Sequence, residues 1–187
     1  RTRANGLYAF ALLDEEDPPE AVRRYGEARQ SGRTLLESRS VLGGPLPTEL
    51  RDLRRRLARA DRADVPALSW TAFAWGLECY HRRGEADSLA EQPRVEAVLD
   101  RALELDEGYY HALPHTLAGF LFGSRTASVG GDPERARAHF ERALELTERR
   151  YLLVHVLYAK SVAVQAQDRR LFIDLLQEVL DAPRGLD

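Results

Sequence analysis

One five-residue phrase occurs twice in this chain: Arg-Ala-Leu-Glu-Leu fills 101–105 and returns at 142–146, 41 residues later. Each copy sits in an amphipathic stretch. Val95, Val98, Leu99, Ala102, Leu103 and Leu105 follow the three–four spacing that gathers apolar groups on one helix face, and Glu96, Asp100, Arg101, Glu104 and Asp106 lie between them. Ala136, Phe140, Ala143, Leu144 and Leu146 repeat the pattern. Asp132, Pro133 and Glu134 open that second stretch as N-cap, first-turn proline and first-turn acid. A helical unit recurring at roughly this interval cannot bury its apolar face alone, so neighbouring units must stack. No alternating run of Val, Ile or Thr marks a strand. The expected fold class is all-α, a tetratricopeptide-like helical-hairpin solenoid of about nine helices forming a single domain over 1–187.

The second helix of such a hairpin carries a small residue, a large one four later and a small one three beyond. Ala21, Tyr25 and Ala28 fit this, as do Ala136, Phe140 and Ala143. Val95, Leu99 and Ala102 fit more loosely, and Phe172, Leu176 and Val179 more loosely still. Gly76 and Gly119 supply the small residue in the helices that precede two of these. The intervals from each glycine to the next small position, Gly76 to Val95 and Gly119 to Ala136, exceed the repeat's usual roughly 12 residues. Two hairpin turns are therefore expected to carry insertions, 83–92 and 123–131, on one edge of the array. Helices are expected over 4–13, 19–38, 48–61, 66–83, 93–106, 109–122, 133–147, 150–166 and 169–181. The stretch 151–166 is apolar nearly all round and reads as a central, buried helix. Gly43, Gly44, Pro45 and Pro47 mark the clearest break.

With 44% hydrophobic and 30% charged residues, the 187-residue chain can bury a core and wet a surface. No apolar run reaches the ~18 residues that span a bilayer. A net charge of −3 argues against a nucleic-acid grip. Cys79 is the single cysteine, which excludes an intrachain disulfide. The chain has no methionine, so residue 1 is not expected to be a translation start, and a signal peptide or lipid-anchor cysteine would lie upstream.

Several phrases together carry a family likeness. They are Leu-Ser-Trp-Thr-Ala-Phe-Ala-Trp-Gly at 68–76, Val-Leu-Asp-Arg-Ala-Leu-Glu-Leu at 98–105, Gly-Gly-Asp-Pro-Glu-Arg-Ala at 130–136 and His-Phe-Glu-Arg-Ala-Leu at 139–144. Tyr-Ala-Lys-Ser-Val-Ala-Val at 158–164 and Asp-Arg-Arg-Leu-Phe at 168–172 complete the set. In these the chain resembles the T-component (TatT) family of TRAP transporters, tetratricopeptide-like periplasmic lipoproteins. The likeness runs from about Ala4 to Pro183. It implies a non-enzymatic component that binds the periplasmic TRAP substrate-binding protein and a small organic or apolar ligand. It also implies a homotrimer, a periplasmic location with a lipid anchor upstream, and a further C-terminal segment. The repeats alone support another reading, a general tetratricopeptide scaffold that docks a protein peptide in its groove.

Trp70, Trp75, Tyr109 and Phe122 lie on the helices that enter the two inserted turns, and are expected to wall a ligand cleft. Tyr110 and His111 would orient the ligand. Ordinary core packing is the competing reading for these aromatics. The inserted loops would form a partner-binding rim, represented by Arg125, Val129, Gly130, Gly131 and Asp132. His111 and His115 stand four apart, but a proline lies between them with no glutamate, and no third ligand is near, so no metal is expected. The arginines at 51, 54, 55, 56, 59 and 62 are interrupted by Asp52, Asp61 and Asp64, which suits a solvated, paired face. No nucleophile elbow or nucleotide loop is present, and neither catalysis nor a cofactor is expected.

Overall fold

The computed structural model describes residues 1–39 and 43–183. Among them are nine α-helices and no strand: α1 (Thr2–Tyr8), α2 (Pro18–Ser38), α3 (Leu50–Leu57), α4 (Val65–His81), α5 (Ala86–Asp106), α6 (Tyr109–Gly123), α7 (Pro133–Leu146), α8 (Leu153–Tyr158) and α9 (Arg169–Asp181). The chain is all-α, as its periodicity requires. Several helices start where aspartates and prolines place them. Asp132 accepts from the backbone N–H of Arg135 at 3.0 Å to cap α7, and Asp168 caps α9 through Leu171 at 3.0 Å. Asp17 caps α2 through Glu20. The chain divides into two compact units, Arg1–Tyr109 and Tyr110–Asp187.

In the first unit α4 is the centre. It is buried at nearly every position from Val65 to Cys79, and α1, α2 and α5 pack around it. A helix apolar on every face needs neighbours on every face. Its contact with α2 depends on Gly32, because a Cβ there would collide with the Thr71 side chain. Ala21, Tyr25 and Ala28 on α2, and Val95, Leu99 and Ala102 on α5, are buried as the small–large–small pattern predicts.

The expected insertion at 83–92 is not a loop. A tight turn closes with Glu85 donating to Arg82 at 2.9 Å, and α5 begins at Ala86 and continues through Pro93 to Asp106. Burial explains the extra helical turns. Ser88 and Gln92 are both buried, and the Ser88 hydroxyl donates to the Cys79 carbonyl at 3.0 Å. The additional residues therefore extend a helix along α4 rather than forming a rim.

The second unit holds α7, α8 and α9 and nearly all of α6. Tyr110, His111 and Ala112 have left-handed backbones, so regular α6 begins after them, with Pro114 close to its start. Ala136, Phe140 and Ala143 are fully buried. A Cβ on Gly119 would stand 2.7 Å from the Phe140 ring, which in turn stacks on Tyr158 with centroids 4.9 Å apart. The small position expected in the preceding helix is thus filled by Gly119.

Two expectations fail in this unit. The stretch 151–166 is not one buried helix. Left-handed Glu148 and Arg149 delay its start, α8 is short, and a π-helical turn (Ala159–Ala163) follows. Val164 is 53% exposed and Val156 39%, because only one side of this segment meets α7 and α9. In α9 the alignment of Phe172, Leu176 and Val179 also fails. Leu175 is the buried residue, and Phe172 is 36% exposed. Ile173 and Leu180 on the same helix are exposed at 48% and 69%.

Candidate functional site

Trp75 forms one wall of a cleft in the first unit. The cleft measures about 60 Å³ and is lined by α2, α4, α5 and Leu46. Arg29 and Arg33 reach it from α2, one helical turn apart, and Glu91 and Arg94 reach it from the extra turns of α5. Glu91 accepts from the Trp75 indole N–H and from Arg29 Nη1, the latter at 2.7 Å. Arg94 Nη2 donates to the Pro47 carbonyl at 2.8 Å, and its nearest approach to Glu91 is 3.6 Å. Both Arg94 and Arg29 face the Trp75 ring, at 5.1 and 6.0 Å from its centroid. Behind the cleft, Glu78 is buried and pairs with Arg29 at 3.0 Å and Arg82 at 3.3 Å. Burial raises its carboxyl above the ordinary range, against the pull of those arginines. Burial likewise lowers the Arg94 guanidinium.

The other aromatics expected at a ligand cleft fall into separate clusters. Trp70 is buried, and its indole N–H donates to the Tyr109 hydroxyl at 3.2 Å. Trp70 also meets Phe73 edge-on, and Arg3 lies over its ring. Trp70 and Tyr109 are therefore brought together, while Trp75, five residues along α4, faces the arginines. In the second unit the exposed His111 stacks on Tyr151 at 4.7 Å and meets Tyr110 edge-on. Phe122 is buried beneath Arg135, 3.9 Å from its ring centroid, and stacks on His139. The left-handed backbone at His111 removes it from the helical face of His115. His115 instead meets His139, Nδ1 to Nδ1 at 2.9 Å. Burial, with His115 and Arg135 close by, pushes His139 down to about 4. Among the described residues no three metal-ligating side chains converge.

The 123–131 insertion is a loop, and it is tied to itself. A 3₁₀ turn (Ala127–Val129) forms its middle. Gly131 donates to the Thr126 carbonyl at 2.9 Å, and Asp132 donates to Phe122 at 3.1 Å. Gly130 takes a left-handed φ of 83°, which suits glycine. A Cβ on Gly131 would collide with the Arg125 carbonyl, so the loop closes only with glycine there. Thr126, Ala127, Ser128 and Gly130 are exposed, and Arg125, Val129, Gly131 and Asp132 are half-buried beneath them.

The remaining candidates behave as surface or core. Asp52 pairs with Arg55 at 2.9 Å and Asp106 with Arg62 at 3.1 Å. Burial pushes the Cys79 thiol up to about 11, away from thiolate reactivity. His81 sits 2.7 Å from Asp14, and the buried His155 is 3.1 Å from Glu178.

The arginine cleft was not legible as a site in the sequence. Arg29 and Arg33 fell in a stretch, 19–38, expected only to be helical, and Glu91 fell in a segment expected to loop. The available signal was their four-residue spacing beside Ala28 and Leu36, which puts both guanidiniums at the edge of a buried face.

No curated protein matches the chain. The family model for the TRAP transporter T-component matches residues 10–187, nearly the whole sequence. Its reach takes in the tryptophan-bearing α4, the glycine-closed loop and the repeated helices alike, and the chain belongs to the TRAP transporter T-component family.

Proposed function

We propose that this chain is a non-enzymatic periplasmic component that docks the substrate-binding protein of its TRAP system through the 123–131 loop and carries a small organic or apolar ligand. TRAP transporters work with a substrate-binding protein, which makes that protein the natural partner. The observation that carries the reading is the loop's construction. It exposes a row of residues on a backbone closed by its own hydrogen bonds, so docking would cost little ordering entropy. Trp75, which walls the cleft of the first unit, is the proposed ligand contact. Assembly as a homotrimer and lipid anchoring upstream complete the proposal. The bare apolar groups Val164, Ile173 and Leu180 support self-association. Among the described residues no helix is long and apolar enough to cross a membrane, which fits tethering by an anchor.

Titration calorimetry with the cognate substrate-binding protein tests the docking. Replacing 125–130 by a two-residue turn should weaken binding at least about tenfold, with a melting temperature within a few degrees of the parent. Ala127→Glu, which changes only an exposed side chain that makes no hydrogen bond, should weaken binding without touching the loop's closure. Unchanged affinity in both variants contradicts the reading.

A further inference from the structure

We propose that the cleft beside Trp75 binds the carboxylate of a small organic acid, with Arg94, Arg33 and the Thr71 hydroxyl as its partners and Leu36, Leu46 and Trp75 around its short carbon body. The inference deepens the ligand-carrying part of the proposed function and is independent of the docking loop.

The charge pattern points to an anion. Three guanidiniums line the cleft against one carboxylate, Glu91. Arg29 is already held by Glu78 and Glu91. Arg33 gives its Nε to Glu37 at 2.8 Å. Arg94 is the under-compensated cation. Its nearest carboxylate is 3.6 Å away and shared with Arg29, and its Nε is buried without a hydrogen-bond acceptor among the described residues. Buried donors without acceptors are uncommon and costly, so an acceptor from outside the chain fits this position.

A second orphan lines the same cleft. Thr71 is 2% exposed, and its hydroxyl has no partner among the described residues. Gly32 leaves room for that hydroxyl, since any side chain there would displace it. Guanidinium and hydroxyl together match the two oxygens of a carboxylate.

Size and walls narrow the ligand further. At the roughly 10–15 Å³ that one water needs on this measure, about 60 Å³ holds about four waters, room for a carboxylate with a short carbon body. Leu36, Leu46 and the Trp75 face favour an apolar body over an inorganic ion. Glu91 at the cleft wall opposes a second negative charge, which favours a monoanion.

Sodium butanoate is the probe, with butanamide as its neutral counterpart and sodium sulfate as an inorganic anion, all at matched ionic strength. Trp70→Phe leaves Trp75 as the sole tryptophan of the full chain, so its fluorescence reports the cleft. Butanoate should give a saturable change, and butanamide and sulfate should not. Arg94→Gln should weaken butanoate binding at least about tenfold, and Thr71→Val about threefold. Arg94 is built into the fold, so Arg33→Gln, on a more exposed side chain, provides a second variant; it should cost about threefold. A non-saturable response, equal binding of butanamide or sulfate, or unchanged affinity in folded Arg33→Gln and Thr71→Val would each overturn the proposal. Intact docking of the substrate-binding protein without butanoate binding would overturn it too, and would leave the docking reading standing.

Discussion

Gly119 and Phe140 carry much of the second unit's packing between them. Gly119→Ala would push a methyl into the Phe140 ring, 2.7 Å from the new carbon, and should cost about 1–3 kcal/mol in thermal or denaturant unfolding. Gly84→Ala is the control, because nothing lies within 4 Å of its would-be Cβ; it should change stability by less than about 0.5 kcal/mol. His139 yields a pH prediction. Its imidazole is held down to about 4 when folded and returns to about 6.5 when unfolded. Between those values the unfolded chain binds the extra proton, so this group's contribution is intact above pH 6.5 and is lost as pH falls toward 4. Melting curves of the parent and His139→Phe, compared at pH 7 and pH 5, should show the smaller drop in the variant. Phe140, Ala136 and Tyr25 were legible in the sequence because burial on a helix face repeats with the helix period. Arg94 and Glu91 were not, because a buried charge and a solvated one have the same sequence signature until a neighbouring helix is placed.

Helix starts were legible for the same local reason. An aspartate before a proline or an acid satisfies free N–H groups wherever the helix later packs. Asp132→Ala should therefore cost about 1 kcal/mol by removing the cap of α7, read by urea denaturation. The same variant tests whether the loop's orientation depends on that cap. Interval counting failed at α5. Extra residues between two repeat positions can loop out or lengthen a helix, and the choice is made by what they bury. Ser88 and Gln92 bury against α4, so the helix lengthens, and with it Glu91 and Arg94 arrive beside Trp75. Composition misled at 151–166, where Val156 and Val164 are apolar yet exposed. Apolar character marks a surface that some partner must cover, and the chain's own helices are only one such partner.

At the scale of the whole molecule, family membership and helical class are established, while assembly and docking are the proposals that remain to be measured. Self-association predicts a light-scattering mass near three times 21.1 kDa at micromolar protein. A mass that stays at 21.1 kDa across a dilution series counts against the trimer. The central claim is that the glycine-closed loop meets the TRAP substrate-binding protein. Hydrogen–deuterium exchange of the full chain, with and without that protein, tests it most directly. Slowed exchange across 123–131 on complex formation is expected, with little change in α3. A formed complex that leaves 123–131 exchanging at its free rate would contradict it.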